Sequence, residues 1–364
     1  MCTRVLWPDA GGSVVVGRNM DFHMDLLTNL WKMPRGVNRS DGADGELTWS
    51  AKYGSVVATA FDLIATDGMN EAGLAGHVLW LTESEYGSPD SSRVRLSQAV
   101  WLQYYLDMFG SVAEAVDWTE RTQVQVVELF DPTGHIVPKL HLALSDASGD
   151  SVIIEYIDGV ARVHHDAGYR VMTNSPPYEQ QLAAWREFAE AGIAPALPGS
   201  ALASDRFIRA SYYLEQQRTP ESAATAMAAM FSIIRNAAQP FRASEPGKPE
   251  ASQTIWQVVA DQTRLRYAFE STTRPNIVWV DFVDLDFSSG SPVMKLDLVG
   301  RLALEGGLSG NVSHQFREVD EAETRVVEAG MQALEFVAQK RDEFAKLIAM
   351  VNQATHGASR TPPR

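Results

Sequence analysis

The sequence is poor in the residues and motifs that build disulfides, metal sites and nucleotide sites. Cys2 is the one cysteine among 364 residues, which excludes an internal disulfide and a zinc site made of several thiolates. The eight histidines include no H-E-x-x-H pair, and the adjacent His164 and His165 point to opposite faces of a strand-like stretch. A glycine-rich phosphate loop and a dinucleotide fingerprint are also absent. We therefore expect neither a metal nor a cofactor.

Positive charge is scarce as well. The chain carries 31 Lys and Arg against 46 Asp and Glu, a formal net charge of −15. Nucleic acids and anionic membrane surfaces would repel such a protein, so we expect neither as a partner. No apolar run approaches the ~20 residues that a membrane helix needs. No leader peptide precedes Cys2, so we expect a cytoplasmic protein, or a periplasmic one if a leader has been removed.

The remaining composition favours one large domain. With 45% hydrophobic residues the chain can bury a substantial core, and neither a linker nor an internal repeat divides it. We expect a single domain over residues 1–354, and its last element is predicted to be an amphipathic helix of about residues 318–351. A disordered tail is expected over residues 355–364.

β-Prone stretches and helical patterns alternate in blocks along the chain. The pattern predicts strands at residues 29–35, 47–53, 55–61, 74–81, 141–146, 151–157, 160–164, 254–260, 265–270 and 276–282. Helices are predicted at about residues 92–108, 111–121, 179–191 and 206–217, and a further one is predicted to start at Thr219-Pro220-Glu221. Turn residues dominate 67–74. Strands that arrive as hairpins favour antiparallel sheets, so we predict an α+β fold, an αββα sandwich of two antiparallel sheets between helical layers.

The first two dozen residues of the chain contain candidate catalytic residues. Residues 3–7 and 13–16 are β-prone, and Pro8-Asp9-Ala10-Gly11-Gly12 between them is typical of a turn. A hairpin folded about Ala10 would place Cys2 opposite Arg18, with Asp21 just beyond the end of the strand. The only thiol of the chain is thus predicted to lie beside a guanidinium and a carboxylate.

A cysteine at a chain terminus has an option that an internal cysteine lacks. If Met1 is removed, Cys2 carries both a thiol and a free α-amine. Their unperturbed pKa values are about 8.5 and about 7.7–8.0, so the amine can accept the thiol proton near neutral pH. A neighbouring Arg18 would favour the thiolate. One hairpin could therefore supply a nucleophile, a base and a stabilising charge; the alternative is that a cysteine at position 2 is incidental.

Five segments in order carry a family resemblance: Met1-Cys2-Thr3-Arg4, Gly17-Arg18-Asn19-Met20-Asp21, Asp67-Gly68-Met69-Asn70-Glu71-Ala72-Gly73-Leu74, Met172-Thr173-Asn174-Ser175-Pro176-Pro177-Tyr178 and Ser204-Asp205-Arg206-Phe207-Ile208-Arg209. From residue 1 to about residue 285 the chain resembles the choloylglycine hydrolases, the penicillin V acylases and bile salt hydrolases of the N-terminal-nucleophile (Ntn) superfamily. The resemblance implies the Ntn-hydrolase fold, hydrolysis of a linear amide in a small-molecule N-acyl substrate, and a homotetramer.

The resemblance also implies roles for individual residues. Cys2 would attack the amide carbonyl, and Asp21 would orient its α-amine. Arg18 and Arg206 would favour the thiolate, and Asn174 would donate a hydrogen bond to the oxyanion, a contact whose loss typically costs ~10²–10³ in rate. Alternatively, Asn174, which precedes Ser-Pro-Pro, is an ordinary turn residue. Arg206 could likewise be an ordinary capping or surface arginine.

Trp80 departs from the pattern of the bile salt hydrolases. They carry asparagine about six residues after the Asn-Glu-x-Gly-Leu segment, where it serves as a second oxyanion donor. The backbone N–H of Trp80 can still donate to the oxyanion. The side chains of Trp80, Phe22 and His23 are predicted to line the acyl pocket with flat, mostly apolar surface. A plain core aromatic is the alternative for Trp80. The match is closer to the Gram-negative-type branch, which takes penicillin V and N-acyl homoserine lactones.

Three functions therefore stay open. The first is an acylase for penicillin V or acyl homoserine lactones, hence a quorum-quenching enzyme, with Cys2 exposed by autoprocessing or by an aminopeptidase. The second is a bile salt hydrolase. The third is a non-catalytic ligand-binding relative that retains Met1.

Overall fold

Two large sheets stack on each other in the computed structural model, which describes residues 1–41, 47–88, 90, 92–129, 138–191, 196–242, 252–299, 301–303 and 306–339. The first sheet has seven strands, in the spatial order Val171–Met172, Cys2–Trp7, Val15–Phe22, Gln253–Asp261, Arg266–Ser271, Arg274–Asp281 and Gly310–Asn311. The second has nine, in the order Val160–His165, Ser151–Ile157, Leu140–Ser145, Ala75–Trp80, Ile64–Asn70, Ser55–Ala60, Leu30–Met33, Met294–Leu296 and Arg317–Glu318.

Both sheets are antiparallel except where Gly310–Asn311 joins the first sheet in parallel. Among the described residues, the smaller strands form three two-stranded ribbons: Asn38–Ser40 with Thr48–Ser50, Arg95–Ser97 with Gln125–Val127, and Leu302–Ala303 with Gly306–Gly307. Short 3₁₀ turns cover Phe282–Asp284 and Ser313–Gln315. The α-helices of the described residues are Trp101–Met108, Val112–Thr122, Tyr178–Glu190, Ala203–Glu215, Ala223–Asn236 and Glu321–Gln339.

The period of two along the strands divides the apolar residues between two cores. In the strand Ser55–Ala60, Val56 and Ala58 belong to the core that joins the two sheets and includes Ala223–Asn236, whereas Val57 belongs to the core beneath Trp101–Met108. Ala223–Asn236 packs on the first sheet and Trp101–Met108 on the second. The layers are therefore helix, sheet, sheet, helix, and the predicted αββα sandwich is confirmed.

One glycine permits the close approach of a helix to the N-terminal hairpin. A Cβ at Gly17 would lie 2.7 Å from Cγ of Met230, which belongs to the helix Ala223–Asn236. A larger residue at position 17 would therefore push the helix away from the strand that carries Arg18.

Several predicted elements are confirmed, among them the helix Val112–Thr122, where Ser111 Oγ accepts a hydrogen bond from the N–H of Glu114 at 3.3 Å. The helix predicted at 92–108 is wrong in its first half. Arg95–Ser97 is extended there and pairs in parallel with Gln125–Val127, because this pairing satisfies backbone groups that a helix would have used internally.

Three other predictions need correction. The first half of the turn-rich segment 67–74 belongs to the strand Ile64–Asn70, and the turn follows only afterwards, where Gly73 has a φ of 85°. The helix predicted to start at Thr219 starts after Ser222, whose Oγ accepts from the N–H of Thr225 at 3.2 Å. The strand predicted at 47–53 is shorter, Thr48–Ser50, and belongs to a separate ribbon.

The long C-terminal helix begins at Glu321 instead of 318, and Asp320 caps it by accepting the N–H of Glu323 at 2.8 Å. Its description extends to Gln339, so the predicted end of this helix and the predicted tail lie outside the described residues. Over the described part of the chain, none of the helices is long and apolar enough to cross a bilayer.

Candidate active site

The N-terminal hairpin forms as predicted, but its register differs by two residues. Cys2 pairs with Met20, and Arg18 pairs with Arg4. The turn extends from Pro8 to Val14. The residue numbers of paired residues therefore add up to twenty-two, whereas a hairpin folded about Ala10 would give twenty. Side chains of directly opposed residues share one face of a sheet, and so do alternate residues of one strand. Cys2, Arg4, Arg18 and Met20 therefore all face the second sheet.

The thiol of Cys2 is buried, with 3% of the residue exposed. Its Sγ lies 3.5 Å from Nη2 of Arg18 and 3.9 Å from Sδ of Met20. The arginine reaches the sulfur diagonally across the hairpin, because it is opposite Arg4, two residue pairs away from Cys2. The predicted neighbourhood of thiol and guanidinium is thus present in a different register.

Arg18 is held on its other sides by the second sheet. Nη2 also donates to the carbonyl of Val78 at 2.9 Å, and Nη1 lies 3.4 Å from Oδ2 of Asp67. The guanidinium lies over the ring of Trp256, 4.7 Å from the ring centroid. These contacts leave the arginine little freedom to turn away from the sulfur.

Asp67 is a buried carboxylate that the sequence analysis did not single out. Besides Arg18, it accepts hydrogen bonds from Nδ1 of His77 at 2.7 Å and from the hydroxyl of Tyr267 at 2.7 Å. Burial lowers the pKa of His77, so its ring is a neutral donor toward the carboxylate. Asp67 belongs to the segment that the sequence analysis predicts as a turn. A prediction of a strand there, with Asp67 opposite His77, would have indicated that the Asp67 side chain faces the site.

Asn174 contacts the backbone of both sheets. Its Oδ1 accepts the N–H of Cys2 at 2.7 Å, and its Nδ2 donates to the carbonyl of Trp80 at 2.6 Å. The N–H of Leu81 donates to the carbonyl oxygen of Lys139 at 2.9 Å. Because successive N–H groups point to opposite edges of a strand, the N–H of Trp80 points to the edge where Asn174 lies. The side chain of Asn174 therefore connects the backbone of Cys2 to the backbone of Trp80.

Arg206 ties Asn174 to the N-terminal strand. Its Nη2 donates to Oδ1 of Asn174 at 2.7 Å, and its Nη1 donates to the carbonyl of Cys2 at 2.5 Å and to Oγ1 of Thr3 at 2.6 Å. The same nitrogen lies 3.8 Å from the carboxylate of Asp21. Burial lowers the pKa of Arg206, although Asp21 and Cys2 act in the opposite direction. The arginine fixes the first residues of the chain and the amide of Asn174 as one unit.

Asp21 lies next to the chain terminus but does not contact the nitrogen of Cys2. Its carboxylate accepts hydrogen bonds from Oγ1 of Thr254 at 2.6 Å and from Nε2 of Gln239 at 2.9 Å. With Met1 in place, the Met1 ammonium donates to the main-chain oxygen of Asp21 at 2.7 Å and to Oγ of Ser252 at 3.1 Å. Burial lowers the pKa of that ammonium, against the raising effect of Cys2 and Asp21.

The residues predicted to line the acyl pocket lie around this terminus. The rings of Phe22 and His23 are in contact, with centroids 4.4 Å apart. Burial lowers the pKa of His23, and the nearby N-terminal ammonium lowers it further. Trp80 is half-buried, and its ring nitrogen donates to Oγ1 of Thr82 at 3.2 Å.

A cavity of about 150 Å³ lies beside the site, between the sheets. Trp256, whose ring covers Arg18, is part of its wall together with the apolar residues Ile255, Phe269, Leu298 and Val299, and the rest of the wall is polar: Asp25, Thr28, Gln253, Ser271 and Thr273. Phe22, His23 and Trp80 do not line it. Strands 253–261 and 266–271, which the sequence analysis did not connect with substrate, therefore contribute to a cavity that shares Trp256 with the surroundings of Arg18.

The structure brings Cys2, Arg18, Asp21, Asn174 and Arg206 together, although they come from four separate segments of the chain. Gln239, Ser252 and Thr254 complete the surroundings of Asp21 and carried no sequence signal, since each is a single polar residue outside any motif. Within the described ranges, no three His, Cys, Asp or Glu side chains are grouped so that they could hold a metal ion. The arrangement offers a thiol, a cation beside it and the side-chain amide of Asn174 at the backbone of the same cysteine.

Residues 2–295 match the model of a protein family described as linear amide C–N hydrolases, choloylglycine hydrolase family. The penicillin V acylase of Pectobacterium atrosepticum is 42% identical over 320 residues, which are 82% of this chain and 85% of that protein.

Solved structures agree with this match. The structure of penicillin V acylase from Agrobacterium tumefaciens is similar with a TM-score of 0.79 and 42% identity, over 88% of this chain and 98% of that one. A mutant of the conjugated bile acid hydrolase from Clostridium perfringens has the same fold, with a TM-score of 0.69 and 20% identity over 81% of this chain and 96% of that one.

Proposed function

The chain belongs to the choloylglycine hydrolase family of linear amide C–N hydrolases, and from this premise we propose that it cleaves N-acylated small molecules with the thiol of Cys2 as nucleophile. The observation that carries the proposal is the environment of Cys2: its sulfur lies 3.5 Å from Arg18, and its nitrogen 2.7 Å from Asn174. Nucleophile and base then belong to one residue, and the base exists only after Met1 has left.

The reaction begins with transfer of the thiol proton to the free α-amine of Cys2. The thiolate attacks the carbonyl carbon of the substrate amide, and the C–N bond breaks as the ammonium returns the proton to the leaving amine. Water then attacks the resulting thioester, again with the amine as base, and releases the acid and the free thiol. The guanidinium of Arg18, 3.5 Å from the sulfur, lies beside the negative charge of the attacking thiolate.

The tetrahedral intermediates need donors for their oxyanion. Nδ2 of Asn174 carries two hydrogens, of which one is bound by the carbonyl of Trp80, and the N–H of Trp80 points to the same side. We assign the oxyanion to these two donors. Asp21 contacts neither the thiol nor the nitrogen of Cys2; its proposed role is to hold Arg206 and the main chain at the terminus in place.

Removal of Met1 is required by this mechanism. While Met1 is attached, the nitrogen of Cys2 is an amide that donates to Asn174 and cannot accept a proton at neutral pH. A ligand-binding relative that kept Met1 would retain this geometry without activity. Autoprocessing and removal by an aminopeptidase both give the same active terminus.

The substrate preference follows from the apolar surroundings. The cavity beside Trp256 and the half-buried ring of Trp80 offer apolar surface for an acyl chain or an aromatic acyl group. We therefore propose penicillin V and long-chain N-acyl homoserine lactones as substrates, with quorum quenching as the consequence of the latter activity. The higher identity to penicillin V acylases than to bile acid hydrolases supports this order.

The test is intact-mass measurement of the purified protein, followed by turnover of penicillin V, a long-chain acyl homoserine lactone and glycocholate. The proposal expects a mass lower by one methionine and turnover of the first two substrates. Retention of Met1 together with turnover of none would favour a binding protein, and glycocholate as the best substrate would favour a bile salt hydrolase. The homotetramer implied by the resemblance stays a prediction, which sedimentation analysis tests.

A further inference from the structure

The loop from Thr173 to Tyr178 carries Asn174 and is held almost entirely by buried side chains from elsewhere. It connects the short strand Val171–Met172 to the helix Tyr178–Glu190 and forms no sheet ladder of its own. Buried backbone N–H and C=O groups nearly always need partners. In this loop five such groups are bonded to only three side chains, those of Gln181, His141 and Glu155.

Gln181 binds three of these backbone groups. Its Oε1 accepts the N–H of Thr173 at 3.2 Å, and its Nε2 donates to the carbonyls of Asn174 at 2.5 Å and Pro176 at 2.6 Å. The side chain is 1% exposed. Both ends of its amide are therefore used, and an isosteric carboxylate could accept from Thr173 but could not donate to the two carbonyls.

His141 holds the next backbone group from the opposite side. Its Nε2 lies 3.0 Å from the carbonyl oxygen of Thr173, and its Nδ1 lies 3.0 Å from Oε1 of Glu155. The carbonyl can only accept, so Nε2 must carry a proton. The other ring nitrogen lies against the carboxylate, so His141 connects the loop backbone to Glu155.

Glu155 supplies the fifth contact and the negative charge. Both of its carboxylate oxygens accept the N–H of Tyr178 at 3.1 Å, which is the first residue of the helix that follows the loop. Burial alone would raise the pKa of this carboxyl, but its hydrogen bonds, that from His141 foremost, lower the pKa to about 2. Glu155 is thus ionised at neutral pH, and it is buried beside His141 on the second sheet.

We propose that Gln181, His141 and Glu155, together called the loop cradle, are positioning residues for the reaction: they fix the backbone on both sides of Asn174 so that its amide stays aimed between Cys2 and Trp80. This inference rests on the proposed oxyanion role of Asn174. Its physical basis is that a displacement of a donor by about 1 Å can cost ~10²-fold in rate. The cradle does not touch the sulfur, and its effect should be confined to steps that need the oxyanion.

The experiment compares the parent with Glu155→Gln and Gln181→Glu, each of which keeps the shape of the side chain, and with Asn174→Ala. Two rates are measured on each full-length protein: turnover of penicillin V and alkylation of Cys2 by iodoacetamide. Alkylation displaces iodide at a saturated carbon and forms no oxyanion. We expect both cradle variants to lose roughly 10- to 100-fold in kcat with KM changed by less than about threefold. Their alkylation rates should stay within about twofold of the parent.

Asp107→Asn is the matched control. Asp107 is a buried carboxylate on the far side of the second sheet, hydrogen-bonded by Trp49 at 2.8 Å and Gln103 at 2.7 Å. Its substitution should lower the melting temperature while kcat stays at the parental value. In addition, Glu155→Gln introduced into Asn174→Ala should lower kcat no further, because a positioning residue acts through the group that it positions.

The possible results separate this inference from the function on which it rests. A fully active Asn174→Ala variant would refute the oxyanion assignment itself. An impaired Asn174→Ala variant beside cradle variants with parental kcat would refute only the cradle. Equal losses of turnover and alkylation in the cradle variants would also contradict it, since the effect would then reach the thiol. If Glu155→Gln does not fold, Gln181→Glu carries the same test.

Discussion

Nη2 of Arg18 lies 3.5 Å from Sγ of Cys2, although the two residues are not opposite each other in the hairpin. Arg18 is opposite Arg4, which is equally buried, and reaches Cys2 diagonally along the same face of the sheet. This relationship distinguishes two buried arginines by a single contact: only one of them touches the sulfur.

The first prediction compares Arg18 with Arg4, which serves as the control because it does not touch the sulfur. Arg18→Met should lower the rate of Cys2 alkylation by iodoacetamide at neutral pH roughly tenfold or more, because the thiolate loses its adjacent positive charge. Arg4→Met removes a buried arginine whose Nη1 bonds Ser151 at 3.2 Å and the carbonyl of Tyr169 at 3.1 Å instead. It should destabilise the protein yet leave the alkylation rate of the folded fraction nearly unchanged. Equal rates in the two variants would remove Arg18 from the account.

A second prediction concerns the α-amine. A variant with a permanent residue before Cys2 should fold and keep its thiol but lose turnover of penicillin V, because an amide nitrogen cannot accept the thiol proton. The control carries a protease site that ends directly before Cys2, and cleavage should restore turnover. Normal activity of the uncleaved protein would show that the amine takes no part.

A third prediction concerns substrate choice. Burial of each methylene contributes about 0.8 kcal/mol, so six further carbons of an acyl chain could add several kcal/mol in a deep pocket. Stacking of an aromatic acyl group on Trp80 contributes about 0.5–1.5 kcal/mol beyond its buried area. We expect long-chain acyl homoserine lactones and penicillin V to exceed glycocholate in kcat/KM, and Trp80→Asn to narrow the gap by weakening the first two. A parental preference for glycocholate would contradict this role of Trp80.

A fourth prediction links Glu155 to acid stability. Its pKa is about 2 in the folded protein against an ordinary value of 4.5, so the folded state binds the proton less tightly than the unfolded state. The resulting contribution, on the order of 3 kcal/mol, is fully present above pH 4.5 and is lost as the pH falls from there toward 2. Glu155→Gln should therefore flatten the fall in unfolding free energy between these pH values. An unchanged slope in urea titrations would contradict the assignment.

The residues of the candidate site could be predicted from the sequence more completely than the residues that surround and support them. Cys2, Arg18, Asp21, Asn174 and Arg206 lie in short motifs that a family resemblance can identify one by one, and the structure places them together. Their roles stay predictions. The register of the hairpin could not be read from the sequence, because it depends on how many residues the turn takes, and composition limits that number only loosely.

The residues that support the site escaped the sequence analysis for a different reason. Asp67, His141 and Glu155 are single polar residues in apolar or turn-like stretches, and most of their partners are more than ten residues away. The pairing of the second sheet brings these three to the site. Gln181 lies on the helix that follows the loop, and its bonds to the loop depend on how the loop folds back over that helix. The helix predicted at 92–108 failed similarly: its apolar period is real, but Arg95–Ser97 finds a strand partner in Gln125–Val127, and this pairing decides the local structure.

The central claim is that Cys2, as the first residue, forms the acyl-enzyme. The most direct test is rapid acid quenching of the protein with penicillin V, followed by peptide mapping by mass spectrometry, with Cys2→Ser treated in parallel. The account predicts a phenoxyacetyl group on the N-terminal peptide, bound to the sulfur of a Cys2 that lacks Met1. It predicts no such adduct and little turnover in the folded Cys2→Ser protein, since a hydroxyl is far less ionised than a thiol. Turnover by a protein that retains Met1, or an acyl group on any residue other than Cys2, would contradict it.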